Sequence, residues 1–291
     1  MGEASGTRKI HDARRFRICL IKMTRIEEFG WRGEVEPGIG RITSAHGDYY
    51  HIVCNEVGGE IIARKKKSNF MARDAIKPIT GDFVKFKYNE CGESMILQVL
   101  PRFSSFERKD PTARRKSQTL AVNFDTLFVM TSLNEDFSPA RLERYYALAE
   151  DMGKAELVTV LTKTDLAPAG PRLAELSASF PGRTFIAISS LTGDGLEQVE
   201  KYVQPTRTVA FIGSSGVGKS SLLNALAGEE WQAVQEIQEW SGKGRHTTTS
   251  RELIMLPSGA MVIDTPGIRE IGMIGEVDEI RLKGESTHRW R

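Results

Sequence analysis

Gly213-Ser214-Ser215-Gly216-Val217-Gly218-Lys219-Ser220 fits the phosphate-loop pattern GxxxxGK[ST], and its flanks decide how the rest of the chain is read. The apolar β-like run Thr208-Val209-Ala210-Phe211-Ile212 leads into the loop, and Ser221-Leu222-Leu223-Asn224-Ala225-Leu226 leaves it as a helix. Glycines let the backbone bend so that successive N–H groups face phosphate oxygens, and the helix N-terminus adds its partial positive charge. Residues Gly213 through Ser221 are therefore expected to cradle phosphates, with Lys219 on the β- and γ-phosphates and the Ser220 hydroxyl on Mg2+. An ordinary glycine-rich turn would not match all four fixed positions and both flanks.

Two further segments narrow the nucleotide. Thr162-Lys163-Thr164-Asp165 ends the apolar strand Leu157-Val158-Thr159-Val160-Leu161. A carboxylate at Asp165 can accept from the N1–H and 2-amino groups of guanine, a donor pair that adenine lacks, so the residues favour GTP over ATP. Lys163 is expected along the base. Thr162 stands where Asn is more usual; without the amide, a weaker bridge between loops is expected. Ser189-Ser190-Leu191, after the strand Thr184-Phe185-Ile186-Ala187-Ile188, resembles the loop that closes over guanine with backbone N–H groups. Asp264-Thr265-Pro266-Gly267, after Ala260-Met261-Val262-Ile263, fits DxxG, in which Asp holds Mg2+ and the Gly N–H senses the γ-phosphate.

The order of these motifs is reversed. The base motif normally follows the phosphate loop, yet here it precedes it. Strand 125–133, a helix over 139–152, the strand ending at Thr162, a helix over 171–179, strand 184–188 and a helix over 195–203 come first. The phosphate-loop strand and helix follow, then strands near 251–256 and 260–264. Such alternation argues for an α/β fold with a parallel sheet, its ligands at the carboxyl ends of the strands. The second half is thus expected to be a circularly permuted P-loop G domain.

Five short alternating runs occupy residues 38–42, 49–53, 60–63, 82–86 and 95–100, separated by Gly, Asn and Asp turns. They suggest a small β-barrel of the OB-fold type, a fold that commonly binds oligonucleotides. Residues 1–120 carry 23 Lys and Arg against 15 Asp and Glu, whereas the remaining 171 carry 17 against 23. The net +2 therefore conceals a basic front and an acidic rear. Arg64-Lys65-Lys66-Lys67 and Arg114-Arg115-Lys116 dominate the front, where a polyanion such as RNA is the expected partner.

Motif by motif, the chain resembles the RsgA (YjeQ) family of GTPases dependent on the small ribosomal subunit. The resemblance rests on Leu100-Pro101-Arg102, 119–127, 132–137, Gly195-Leu196, 213–221, Gly244-Arg245-His246-Thr247-Thr248-Thr249 and Asp264 to Gly267. It implies a cytoplasmic bacterial enzyme that hydrolyses GTP with Mg2+, is stimulated by the small ribosomal subunit and its rRNA, and assists late maturation of that subunit. It also implies that His246 orients the attacking water, because Ile268 occupies the place where many GTPases carry Gln. Thr248 is assigned as the threonine that closes on Mg2+, with Thr247 and Thr249 left open by spacing.

The family carries a C-terminal zinc domain with three Cys and one His. Here Cys19, Cys54 and Cys91 all lie upstream, and the 24 residues after Gly267 contain only His288, so no zinc site can be built from them. A shortened or frame-altered end is expected, and with it an alternative function: a GTP-dependent RNA-binding module with little turnover. The expected organisation is a basic leader over 1–29, OB-fold 30–103, basic linker 104–120, permuted G domain 121–275 and irregular tail 276–291. The apolar stretch Ile18-Cys19-Leu20-Ile21 is too short and too flanked by charge for a signal-peptide core or membrane span, and no eighteen apolar residues run together elsewhere. Three scattered cysteines give no disulfide framework. A monomer without membrane contact is expected.

Overall fold

The computed structural model describes residues 25–71, 75–108, 118–133, 137–228 and 251–264. Its first unit is a closed barrel of β1 (Ile39–His46), β2 (Tyr49–Cys54), β3 (Glu60–Lys65), β4 (Phe83–Lys87) and β5 (Ser94–Val99). The strands run in the order β1-β2-β3-β5-β4 and close through β1–β4, with only β3–β5 parallel. Closure removes the exposed edges that an open five-stranded sheet would present. Ile42, Ile52, Ala63, Val84, Phe86 and Ile96 fill its interior.

Residues 104–120, expected to be a linker, begin and end in structure. β6 (Ser105–Arg108) pairs antiparallel with β7 (Gln118–Val122), and Phe106 and Leu120 are buried. The leader also ends earlier than its charge suggested, because residues 25–30 form a turn that buries Ile26 and Phe29. Spacing of three residues puts both side chains on one face of that turn, and Asn55 Oδ1 accepts from the Ile26 N–H at 2.7 Å.

The second unit is built on β8 (Thr126–Ser132), β9 (Glu156–Thr162), β10 (Thr184–Ala187), β11 (Thr208–Ile212), β12 (Glu252–Met255) and β13 (Met261–Asp264). Spatial order is β10-β9-β8-β11-β13-β12; all neighbours are parallel except β12, which runs antiparallel to β13. Every residue of β8 is buried, as a central parallel strand covered on both faces should be. Helices α1 (Pro139–Ala149), α2 (Ala169–Ser179), α3 (Leu196–Glu200) and α4 (Lys219–Ala227) connect or follow these strands. α1 starts at Ser138, whose hydroxyl accepts from the Arg141 N–H, with Pro139 in the first turn where its missing N–H costs nothing. Its stripe of Leu142, Tyr145, Tyr146 and Ala149 faces the core.

From β8 the chain steps outward through β9 to β10, then returns to the other side of β8 as β11. The reversal makes a crevice at the carboxyl ends of β8 and β11, the usual ligand position in such sheets.

Barrel and sheet are continuous. β1 pairs with β4 at its start and with β12 at Ser44↔Glu252, joining eleven strands into one sheet. The change of partner coincides with an irregularity in β1 between Ile42 and Ser44, which bends the strand out of the barrel. A buried arginine reinforces the seam. Arg41 donates to the carbonyl oxygens of Phe29 (2.6 Å) and Asn123 (2.8 Å) and to Thr208 Oγ1 (2.9 Å). Burial pushes its guanidinium down to about 9, against the opposing pull of Asp125 and Asp82, and Arg32 adds to the lowering.

Candidate nucleotide-binding site

The loop after β11 has the backbone that its glycines predicted. Gly213 lies at φ 154° and Gly218 at φ 102°. A Cβ at Gly213 would meet the Met130 carbonyl oxygen at 2.6 Å, so the loop can pass β8 this closely only without a side chain. α4 opens at Gly218 with no side-chain cap, which leaves its first N–H groups directed at the loop. Lys219 Nζ folds across the concavity and donates to the Gly213 and Ser214 carbonyl oxygens at 2.7 and 2.6 Å. Ser215, Gly216, Ser220 and Ser221 are exposed along the rim, while Val217 is buried beneath it.

Thr162 makes its bridge between the loops through a hydroxyl. Its hydroxyl donates to the Val217 carbonyl oxygen at 2.6 Å, so the bridge from base strand to phosphate loop survives the loss of the amide. The Thr131 carbonyl, at 3.4 Å, is a distant second acceptor for the same single proton.

Beyond Thr162 the chain turns sharply. Lys163 adopts φ 63°, a left-handed conformation that costs a side-chain-bearing residue about 1 kcal/mol or more and persists only where the surroundings hold it. Here the Thr164 N–H is held by the Ile188 carbonyl at 3.2 Å. Exposed Asp165 follows, and its Oδ1 accepts from Ser189 Oγ at 2.6 Å. That hydroxyl in turn accepts from the N–H groups of Leu191 (3.3 Å) and Thr192 (3.2 Å). Two backbone donors thus orient a fully buried serine, which orients the carboxylate. Ser190 is half-buried in the same turn. At Gly195, φ is 77° and an added Cβ would lie 2.2 Å from the Ala187 carbonyl oxygen, which explains the glycine where this turn re-enters α3.

The structure thereby brings Thr162, Lys163, Thr164, Asp165, Ser189 and Ser190 to the same sheet edge as Gly213 through Ser221. The backbone of Asp264 ends β13, the neighbour of β11, and pairs with Glu252. His246, Thr247, Thr248, Thr249, Gly267 and Ile268 lie outside the described residues. Sequence reasoning missed the Ser189–Asp165 hydrogen bond; two consecutive small hydroxyl residues after a strand are its only signal.

On the barrel, Arg64 lies over the Tyr49 ring at 4.2 Å, bonds the Tyr49 hydroxyl, and pairs with Glu93 at 2.6 Å; Lys65 approaches Asp48 at 3.3 Å. Register aligns Tyr49, Arg64, Met95 and Lys87 as one row across β2, β3, β5 and β4, all four exposed. Cation, aromatic and apolar side chains in one row suit stacked bases on a charged backbone. Lys66 and Lys67 continue the cations, whereas Arg114, Arg115 and Lys116 lie outside the described residues.

Comparison with known proteins agrees with this geometry. A family model described as RsgA GTPase matches residues 99–274. The Lactiplantibacillus plantarum protein named small ribosomal subunit biogenesis GTPase RsgA 2 is 40% identical over 237 residues, covering 80% of this chain and 66% of that protein. The crystal structure of YjeQ from Thermotoga maritima superposes with a TM-score of 0.59 at 25% identity, covering 80% of this chain and 76% of that one. The crystal structure of YloQ, described as a circularly permuted GTPase, shares the fold with a TM-score of 0.55 at 23% identity over 84% of this chain and 77% of its own. The chain spans about two thirds of the length of the curated relatives it matches. Since the family model covers more than half of the chain and includes every strand of the nucleotide edge, this chain belongs to the RsgA GTPase family.

Proposed function

We propose that the chain binds GTP with Mg2+, hydrolyses it, and acts as a late maturation factor of the small ribosomal subunit, which stimulates the turnover. The observation that carries the reading is two hydrogen bonds on one short segment: Thr162 ties it to the phosphate loop at Val217, and Ser189 orients the Asp165 carboxylate three residues on. The residues fit the ligand: the uncapped start of α4, the glycine turns and the Lys219 ammonium all offer positive charge to one concavity.

Lys219 neutralises β- and γ-phosphate charge, Asp165 selects guanine, and Lys163 covers the base. Gly213, Ser214, Ser215, Gly216, Val217, Gly218 and Ser221 shape or line the phosphate cradle. Ser220, Asp264 and Thr248 would hold Mg2+, which when bound draws negative charge from the β- and γ-oxygens. Gly267 would sense the γ-phosphate and His246 orient the water. The exposed barrel row and its cations would engage rRNA. Among the described residues no helix is long and apolar enough to cross a membrane. Action in the cytoplasm as a monomer is part of the proposal.

The test is GTP turnover with and without purified small ribosomal subunits, beside calorimetric titration with GTP and ATP. Slow basal turnover raised by subunits supports the reading. Equal affinity for ATP would overturn the base assignment, and GTP binding with no turnover in either condition would leave an RNA-binding module.

A further inference from the structure

The seam between barrel and sheet reaches the backbone of a proposed Mg2+ ligand. Ser44 of β1 pairs with Glu252 of β12, and Glu252 pairs in turn with Asp264, so one cross-sheet row runs from the barrel to the carboxyl end of β13. Beside that row, the buried Thr80 hydroxyl donates to the Arg251 carbonyl oxygen at 2.9 Å. Arg251 Nη1 donates to the Thr119 carbonyl oxygen on β7 at 2.7 Å. The residue before β12 is therefore held from two sides, by the loop that enters β4 and by the ribbon strand β7. β12 is paired on both sides, through four registered pairs with β13 and one with β1, and the anchors at Arg251 adjoin the end of β12 that pairs with Asp264.

We infer that Thr80 and Arg251 are positioning residues for Asp264, through which the barrel sets how well the nucleotide edge takes Mg2+. The inference rests on the proposed guanine-nucleotide reading and deepens it: occupancy of the barrel is felt at the metal side of the site and not at the base side. The geometry separates the two sides. The Asp165–Ser189 pair follows β9 and β10 at the far edge of the sheet, with β8, β11 and β13 between it and β12, whereas Asp264 is one strand from the barrel. Coupling through this row is reciprocal, so whatever displaces the barrel loop at Thr80 shifts metal-dependent affinity and leaves metal-free affinity alone.

The experiment uses the full chain and reads affinity for fluorescent GDP and a non-hydrolysable GTP analogue while Mg2+ is titrated, with an EDTA arm. Thr80→Val keeps the side-chain volume and removes the donor. It is expected to raise the Mg2+ concentration needed for half-maximal tightening by about fivefold, the size of one lost hydrogen bond. Affinity in EDTA should stay unchanged, and Thr80→Ser should restore the parent behaviour. An unchanged Mg2+ requirement in Thr80→Val overturns the inference. So does an equal loss of affinity with Mg2+ and with EDTA, which marks general loss of folding. Failure of the parent chain to bind GDP in either arm overturns the guanine-nucleotide reading, and this inference with it.

Discussion

The Thr162 hydroxyl donates to the Val217 carbonyl oxygen at 2.6 Å, across 55 residues of sequence, and both atoms are buried. A buried carbonyl deprived of its donor carries a desolvation cost of about 1–3 kcal/mol. Thr162→Val keeps the β-branch and removes only that donor. It should weaken GDP and GTP binding together, by about tenfold, in a calorimetric titration. Thr162→Ser should bind like the parent, and equal affinity in Thr162→Val would mean that the bridge does not shape the phosphate loop.

Base choice should follow the carboxylate. Asp165→Asn exchanges one acceptor oxygen for a donor, so it should cut GTP affinity and favour xanthosine triphosphate, which presents an oxygen where guanine has its amino group. Ser189→Ala leaves the carboxylate in place but unoriented, and should cost less than Asp165→Asn. Competition binding with the two nucleotides checks both, and a Ser189→Ala loss as large as that of Asp165→Asn would contradict the proposed division of roles.

In the proposed site Lys219 sets a full positive charge where phosphate oxygens would crowd, and within the fold it donates to the Gly213 and Ser214 carbonyl oxygens. Lys219→Ala should nearly abolish hydrolysis while thermal unfolding stays close to that of the parent. Retained turnover would take the phosphate loop out of the mechanism.

Arg41 should matter to stability and not to chemistry. Arg41→Met fills similar volume but leaves the Phe29 and Asn123 carbonyls without this donor and removes a cation near Asp125 and Asp82. Breaking a buried charge network from one side costs about 3–5 kcal/mol, so the denaturant midpoint should fall clearly. A midpoint unchanged from the parent would show that the seam is held by the β1–β12 pairing and core packing alone.

The contrast between Arg41 and the phosphate loop shows what a sequence exposes. Gly213, Gly218 and Gly195 are legible because each local backbone demand can be met by one residue type, and β8, β9 and β11 because apolar runs of that length between helices have few other uses. The small barrel is legible in five short strands separated by turns for a similar reason. Arg41 was not, since its partners lie 12, 82 and 167 residues away and an arginine in an alternating strand reads as solvent-facing. Ile26 and Phe29 were lost in a basic segment whose charge outweighed a single apolar turn. β6 and β7 were hidden because the cations between them, Arg114, Arg115 and Lys116, suggested a linker, although the apolar Phe106 and Leu120 on either side are buried.

Association with the ribosomal subunit should depend on salt and on the barrel. Tyr49, Arg64, Met95 and Lys87 form a row in which cations can meet phosphates while the aromatic ring and thioether meet bases, and Lys65, Lys66 and Lys67 extend it. Each cation that neutralises a phosphate releases a counterion, so binding should weaken steeply between low and moderate salt. Replacing Lys66 and Lys67 with Ala should flatten that dependence by about one to two units of logarithmic slope, because each phosphate contact contributes somewhat less than one. Tyr49→Ala should instead weaken binding by a similar factor at every salt concentration, because stacking releases no ions. Co-sedimentation with small subunits and a non-hydrolysable GTP analogue separates these effects. A parallel turnover assay on His246→Ala should lose most of the subunit-stimulated rate while binding persists. Unchanged stimulated turnover would remove His246 from catalysis, and no binding at low salt would leave the barrel row without its proposed partner.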